Sequence, residues 1–278
     1  MGQQEKTKTE VWREGTCWAG NGVAARVIDQ GWARQQTLSY SRICVALAIL
    51  NVSVYAGDVM SVILAVRDNE DVVLASDGRV LDDDLGVMSE DSLKTLALNG
   101  EVCLGLAGPT DTMRQVLASL GVKCRGTHPI DLLGACQEVS CPVEVDYLDA
   151  CDEVASVLRW MTRRVPPKHR LGRIPAVILA GRVGKHPALS EWSYPDWRME
   201  GFASDGYSEA VVGSLPDAGS GAWESLHRMV RGEQTTRDAE ERLAGAVRFC
   251  ANYFGANGPI NKNVFLRRLS HGFHLDRG

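Results

Sequence analysis

The hydrophobic pattern of the chain changes character near residue 60. Downstream, residues 61–67 and 72–76 are β-rich runs divided by Asp68-Asn-Glu-Asp71, which predicts a hairpin. Residues 92–98 and 102–106 form a second pair around Asn99-Gly100, the strongest short-range hairpin signal. The period then shifts to three and four: Met113, Val116, Leu117 and Leu120 share one face of a helix whose expected N-cap is Thr110 or Asp111. A second helix is predicted over 146–164, with Leu148, Cys151, Val154, Val157, Leu158 and Met161 on one face and Pro166-Pro167 stopping it. Strands are expected at 174–180, 188–193, 197–202 and 210–213, and a closing strand at 260–269. Between them lie helices at 221–231 and from Thr236, as N-cap, to about 253. Strands and helices come in blocks, which disfavours alternating βαβ winding and favours an α+β fold with sheets covered by helix pairs. The polar tail with His271 and His274 is expected to fray.

Residues 1–59 read differently. They carry Trp12, Trp18 and Trp32 without helical or strand period, then a stretch over 43–56 in which 12 of 14 residues are apolar. That stretch is short of the roughly 20 residues a membrane helix needs. It also begins too far into the chain for a secretion signal, which occupies about the first 30 residues. Residues 1–60 are therefore expected to be a leader, either a propeptide or upstream sequence joined by a misassigned start, and 61–278 the folded domain.

Charge and cysteine usage narrow the function classes. Over 278 residues, 35 acids against 30 bases leave a net charge of −5, so nothing electrostatic points to nucleic acid or an anionic membrane as partner. The eight cysteines show no C-x-x-C spacing, and no phosphate-loop, dinucleotide-binding or H-E-x-x-H motif occurs, so no metal or organic cofactor is expected. Free thiols in a reducing cytoplasm are the first reading of these cysteines. Disulfides among Cys124, Cys136, Cys141 and Cys151 are the second.

The candidate chemistry lies between residues 61 and 111. Ser61-Val-Ile-Leu-Ala-Val-Arg-Asp-Asn-Glu-Asp-Val-Val-Leu-Ala-Ser-Asp77-Gly78-Arg79 resembles the start of a mature proteasome β-subunit, above all its bacterial HslV-type relative. In that family the mature chain opens with a threonine nucleophile, followed by an acid in a short Ala-x-Asp motif and then a lysine. Here Asp77 follows Ser61 by 16 positions and Lys94 follows Asp77 by 17, the family spacing with one residue inserted. Leu104-Gly-Leu-Ala-Gly108-Pro-Thr-Asp111 is similar to the family's Ala-Gly segment, whose backbone N–H forms the oxyanion hole. The resemblance implies a four-layer αββα sandwich over roughly residues 61–269, a peptide or protein substrate, a homo-oligomeric ring in the cytoplasm, and an ATPase unfoldase as candidate partner.

The residues support this chemistry on their own terms. A serine hydroxyl is a weak nucleophile and needs an adjacent base. If Ser61 is the first residue, its own α-amino group, with an ordinary pKa near 8, can take the proton directly or through one water. Lys94 would help keep that amine neutral by charge repulsion, and Asp77 would pair with Lys94. The Gly108 N–H would stabilise the developing oxyanion. All of this needs a free terminus at Ser61, reached by translation from Met60 and loss of the methionine, or by self-cleavage at the same bond.

Two departures from the family pattern stand out. Serine replaces threonine, losing the methyl group that restricts the nucleophile's rotamer. Where the family carries an Asp and a Ser near the C-terminal helix, residues 252–259 hold no acid, and Asn257 is the candidate hydrogen-bonding substitute. The expected function is thus hydrolysis of peptide or amide bonds through an acyl-enzyme on Ser61. A small-amide hydrolase or peptide-transferring relative is a second enzyme reading, and a catalytically inactive ring or scaffold subunit is the alternative. The segments 121–145 and 190–202 look like insertions.

Overall fold

Residues 62–66 and 72–75 are apolar without alternation, and the computed structural model gives the reason: β1 (Val62–Arg67) and β2 (Val72–Ser76) are buried at every position. Successive side chains point to opposite faces of a strand, so each of these strands serves two cores. Val62, Leu64, Val66, Val73 and Ala75 join one cluster, and Ile63, Ala65, Val72 and Leu74 join another. The structure describes residues 61–68, 70–81, 86–123, 133, 143–194, 207–233 and 238–277, all within the larger of two units, Gly57–Glu200 with Ser204–Gly278. The expected leader, the strand at 197–202, the Thr236 cap, and Cys17, Cys44, Cys124, Cys136 and Cys141 lie outside the described residues.

After β2 come β3 (Val80–Leu81) and β4 (Val87–Ser89), a short ribbon too brief to show in the hydrophobic pattern, then β5 (Thr95–Ala97) and β6 (Val102–Ala107). The helices α1 (Thr110–Ser119), α2 (Tyr147–Arg164) and the short α3 (Arg170–Arg173) follow, then β7 (Ala176–Val183), β8 (His186–Trp192) and β9 (Ser208–Gly213). The chain closes with α4 (Gly221–Arg231), α5 (Ala239–Phe254), β10 (Phe265–Arg268) and β11 (Leu275–Arg277). Among the described residues, one sheet has the order β11-β10-β2-β1-β9 and another the order β5-β6-β7-β8, with every pair antiparallel.

The two sheets share a core in which Ile63, Leu74 and Val212 from the first meet Cys103, Ile178 and Leu189 from the second. Gly105 on β6 allows the close approach, since a Cβ there would stand 3.0 Å from the Ile63 side chain. The opposite face of the first sheet is covered by α4 and α5 through Leu226, Val230, Leu243 and Val247. Each such aliphatic side chain is worth about 1.5–3 kcal/mol when fully buried. On the second sheet, α2 places the Tyr147 hydroxyl 2.7 Å from the Ser190 hydroxyl of β8 and 3.4 Å from the Leu179 carbonyl of β7.

Local details depart from the sequence expectations in instructive ways. The Asn99-Gly100 hairpin forms, but neither residue has a positive φ, so the left-handed two-residue turn usual for Asn-Gly is not used. Instead Asn99 Oδ1 accepts the Glu101 and Val102 N–H groups at 2.8 Å each, and its Nδ2 donates to the Val143 and Val145 carbonyls at 3.0 and 2.9 Å. The N-cap of α1 is Pro109, without a side-chain cap bond, rather than Thr110 or Asp111. The Thr112 hydroxyl donates to the Pro109 carbonyl at 2.9 Å, and Asp111 Oδ1 accepts the Thr112 N–H at 2.9 Å. Asp238 caps α5 by accepting the Glu241 N–H, where Thr236 was expected to do so.

The C-terminal tail does not fray. The expected closing strand is β10, a 3-10 turn over Leu269–His271 follows, and β11 returns to pair with β10. Phe273, set between Gly272 and His274, is fully buried, and its carbonyl accepts from the buried Arg267 guanidinium at 2.7 Å. That single anchor outweighs the polar composition around it. Among the described residues no helix is long and apolar enough to cross a membrane.

Candidate active site around Ser61

Ser61 lies one residue before β1 and is almost fully buried. Its carbonyl accepts the Ser214 N–H at 2.8 Å, continuing the β1–β9 ladder in which Val62 opposes Gly213. Gly213 has φ +112°, a conformation that L side chains rarely adopt. The backbone of Ser61 is thus gripped at a point where the neighbouring strand admits only glycine.

Asp77 follows β2 by one residue and is fully buried. Its Oδ1 accepts the Val62 N–H at 2.9 Å and its Oδ2 accepts the Arg79 N–H at 2.9 Å, while its own N–H donates to the Val62 carbonyl at 3.3 Å. Asp77 is therefore bonded in both directions to the residue after Ser61. Burial pushes its carboxyl up to about 6, against the opposing pull of the Lys94 ammonium and of the Val62, Arg79 and Asn261 backbone N–H groups. Gly78 is equally constrained, because a Cβ there would lie 2.5 Å from the Glu90 carbonyl and 2.6 Å from the Phe265 ring. The Asp77-Gly78 pair, which in sequence could be any surface turn, is interior.

Lys94, buried at 7% exposure, sits just before β5, and its carbonyl accepts the Leu106 N–H of β6 at 2.9 Å. Its charge is the strongest influence favouring the ionised form of Asp77. Gly108, two residues past Leu106 and partly exposed, has φ +146°, and a Cβ on it would stand 2.9 Å from the Pro175 Cα. The structure thus bonds Asp77 to the residue after Ser61, brings the Lys94 charge to bear on Asp77, sets Gly108 at the end of the strand bonded to Lys94, and leaves Asn257 exposed in the turn after α5.

Three polar residues around Asp77 carry contacts that the sequence reading did not assign. Asn261 is buried; its Oδ1 accepts the Gly78 N–H at 3.0 Å, and its Nδ2 donates to the Glu90 carbonyl at 2.6 Å and to the Glu90 carboxylate. Arg79 meets the Glu90 carboxylate with two donors at 3.2 and 2.8 Å, holding that carboxyl below the usual range. The same guanidinium donates to the Ala256 and Gly258 carbonyls at 2.8 and 2.6 Å, tying the turn after α5 to the Asp77 segment. Arg79 adjoins Asp77-Gly78 in the chain. Asn261 lies 183 positions from Gly78, so only the fold shows its part.

Other nucleophiles recede. Among the described residues Cys103, Cys151 and Cys250 are buried free thiols, which removes Cys151 from the expected disulfide alternatives. Burial pushes them up to about 11, about 12 and about 12 respectively, so their thiolates are negligible at neutral pH. A cavity of about 430 Å³, lined by Asp111, Trp160, Arg164, His169 and Arg173 among others, shares no residue with the Ser61 constellation.

No protein-family model matches the chain, and no curated protein matches it in sequence. Among solved structures it is similar to the eukaryotic HslV from Trypanosoma brucei, at 15% identity over 74% of this chain and 98% of that one, with a TM-score of 0.44.

Proposed function

We propose that the chain is a proteasome-like N-terminal-nucleophile hydrolase that cleaves peptide or amide bonds through an acyl-enzyme on Ser61. The observation that carries this reading is the buried Asp77 carboxylate, bonded to the Val62 N–H beside Ser61 and answered by the Lys94 charge. A carboxylate placed in the interior against its own preference for water is costly unless partners compensate it, and sites that accept that cost are enriched in function.

In this mechanism Met60 and everything before it are removed, leaving 61–278 as the working domain with a free amine on Ser61. That amine takes the hydroxyl proton as the Ser61 oxygen attacks the substrate carbonyl carbon. The Gly108 N–H receives the developing oxyanion, and the protonated amine gives its proton to the departing nitrogen. Water, deprotonated by the same amine, then releases the acyl group. Lys94 keeps the amine neutral by repulsion, and Asp77 holds the backbone beside Ser61 while balancing Lys94.

Two sheets sharing one core, with α4 and α5 on one and α2 on the other, support a four-layer αββα order for the domain. Assembly into a homo-oligomeric ring, with an ATPase unfoldase as partner, follows from the sequence resemblance and belongs to the same proposal. A second reading, a catalytically inactive ring subunit, is favoured by one feature: the turn that would orient the amine offers the exposed Asn257 and no acid. Replacing Ser61 with alanine separates the two. Loss of hydrolysis across a panel of peptide and amide substrates is expected, and unchanged hydrolysis would end the nucleophile reading.

A further inference from the structure

We propose that Asn261 is a positioning residue of this site, whose side-chain amide sets where the Asp77 carboxylate stands and keeps the Glu90 charge apart from it. The inference rests on the reading of Ser61 and Asp77 as parts of one catalytic centre.

Asn261 touches the Asp77 segment from three directions. Its backbone N–H favours the ionised Asp77 carboxylate, its Oδ1 accepts the Gly78 N–H at 3.0 Å, and its Nδ2 donates to both the carbonyl and the carboxylate of Glu90. A position facing a backbone donor on one side and a carboxylate on the other needs a short side chain carrying one acceptor and one donor. Asparagine supplies both at that length. Aspartate has no donor for Glu90, and alanine leaves the buried Gly78 N–H without its acceptor, where an unmade bond is costly, while Glu90 keeps Arg79 and Asn263.

The amide is also neutral, and that is the second half of its role. Among the described residues, the charged and titratable groups near Asp77 are Lys94 before β5, Arg79, Glu90 and Asp91 on its own connecting segment, the Cys250 thiol on α5, and the Ser61 amine once freed. Glu90 and Asp91 are the other carboxylates among them, and Glu90 is the one that the Asn261 amide meets. Arg79 and the Asn261 amide both bind it, so the Lys94 charge is left to answer Asp77.

Asn261→Asp tests this with little change of shape. It keeps the acceptor for Gly78 but sets a second carboxylate oxygen against Glu90, close to Asp77. The acid limb of kcat/KM is expected to move up by about one pH unit, with kcat reduced ~10-fold and KM changed less than ~2-fold. Adding Glu90→Gln restores the pair with donor and acceptor exchanged, and is expected to return the limb to its original position. A readout that needs no activity is the carboxyl-carbon NMR titration of Asp77, compared between Ser61→Ala and Ser61→Ala with Asn261→Asp. A higher Asp77 midpoint in the double variant supports the inference. An unchanged midpoint and an unchanged acid limb, with only stability lost, would overturn it and leave Asn261 a structural residue. If instead Ser61→Ala retains full hydrolysis, the catalytic reading falls while the NMR comparison still decides the role of Asn261.

Discussion

A Cβ on Gly213 would stand 1.8 Å from the carbonyl oxygen of Ser61. The strand that braces the candidate nucleophile therefore depends on the absence of a single methyl group. Gly213→Ala is expected to push β9 away from Ser61 and to strain a backbone already at φ +112°, costing about 3 kcal/mol or more. Urea denaturation reads the cost, and an unshifted midpoint would mean that β9 does not hold Ser61 in this way.

Asp77 sets a pH dependence with a definite sign. Its carboxyl titrates near 4 in an unfolded chain and is pushed up to about 6 when buried, so between those values the folded state binds the extra proton. Its contribution favours the native state below about pH 4, declines as pH rises to about 6, and is lost above that, a change of about 3 kcal/mol. Asp77→Asn removes this titration. The stability of the variant minus that of the original protein is expected to rise between pH 4 and 7, while hydrolysis is lost at every pH. A difference that stays flat over that range contradicts the buried, perturbed carboxyl.

Asn99 holds both its hairpin and the segment before α2. Asn99→Ala removes two acceptor and two donor contacts, and a loss of about 2–3 kcal/mol is expected. Asn99→Asp restores the acceptor but sets a carboxylate against the Val143 and Val145 carbonyls, so it is expected to recover little of the loss. Full recovery in thermal unfolding would show that the turn alone matters.

The thiols of Cys103, Cys151 and Cys250 are expected to resist iodoacetamide in the native protein and to react once it is unfolded, because burial suppresses their thiolates. Peptide mapping after brief labelling checks this, and fast native labelling of any of the three would place that thiol at the surface.

What could be read from the sequence follows from how far apart the cooperating residues lie. Ser61, Asp77 and Lys94 fall within one short stretch, so their spacing was visible, and the unbroken apolar runs of β1 and β2 were visible because both faces are buried. Gly213 and Asn261 act on residues far away in the chain, and nothing local marks either one. Asn99 was recognised as a turn residue, yet its side-chain mechanism needed Val143 and Val145 to be in place. Phe273 is masked in the sequence by its polar neighbours, because composition averages over a single buried ring.

The central claim is that Ser61 works as the first residue of the mature chain. Intact-mass measurement of the species that carries peptide- or amide-hydrolysing activity tests it most directly. The account predicts an active chain beginning at Ser61, with Met60 and the preceding residues gone. An active chain that still carries residues ahead of Ser61 would contradict it.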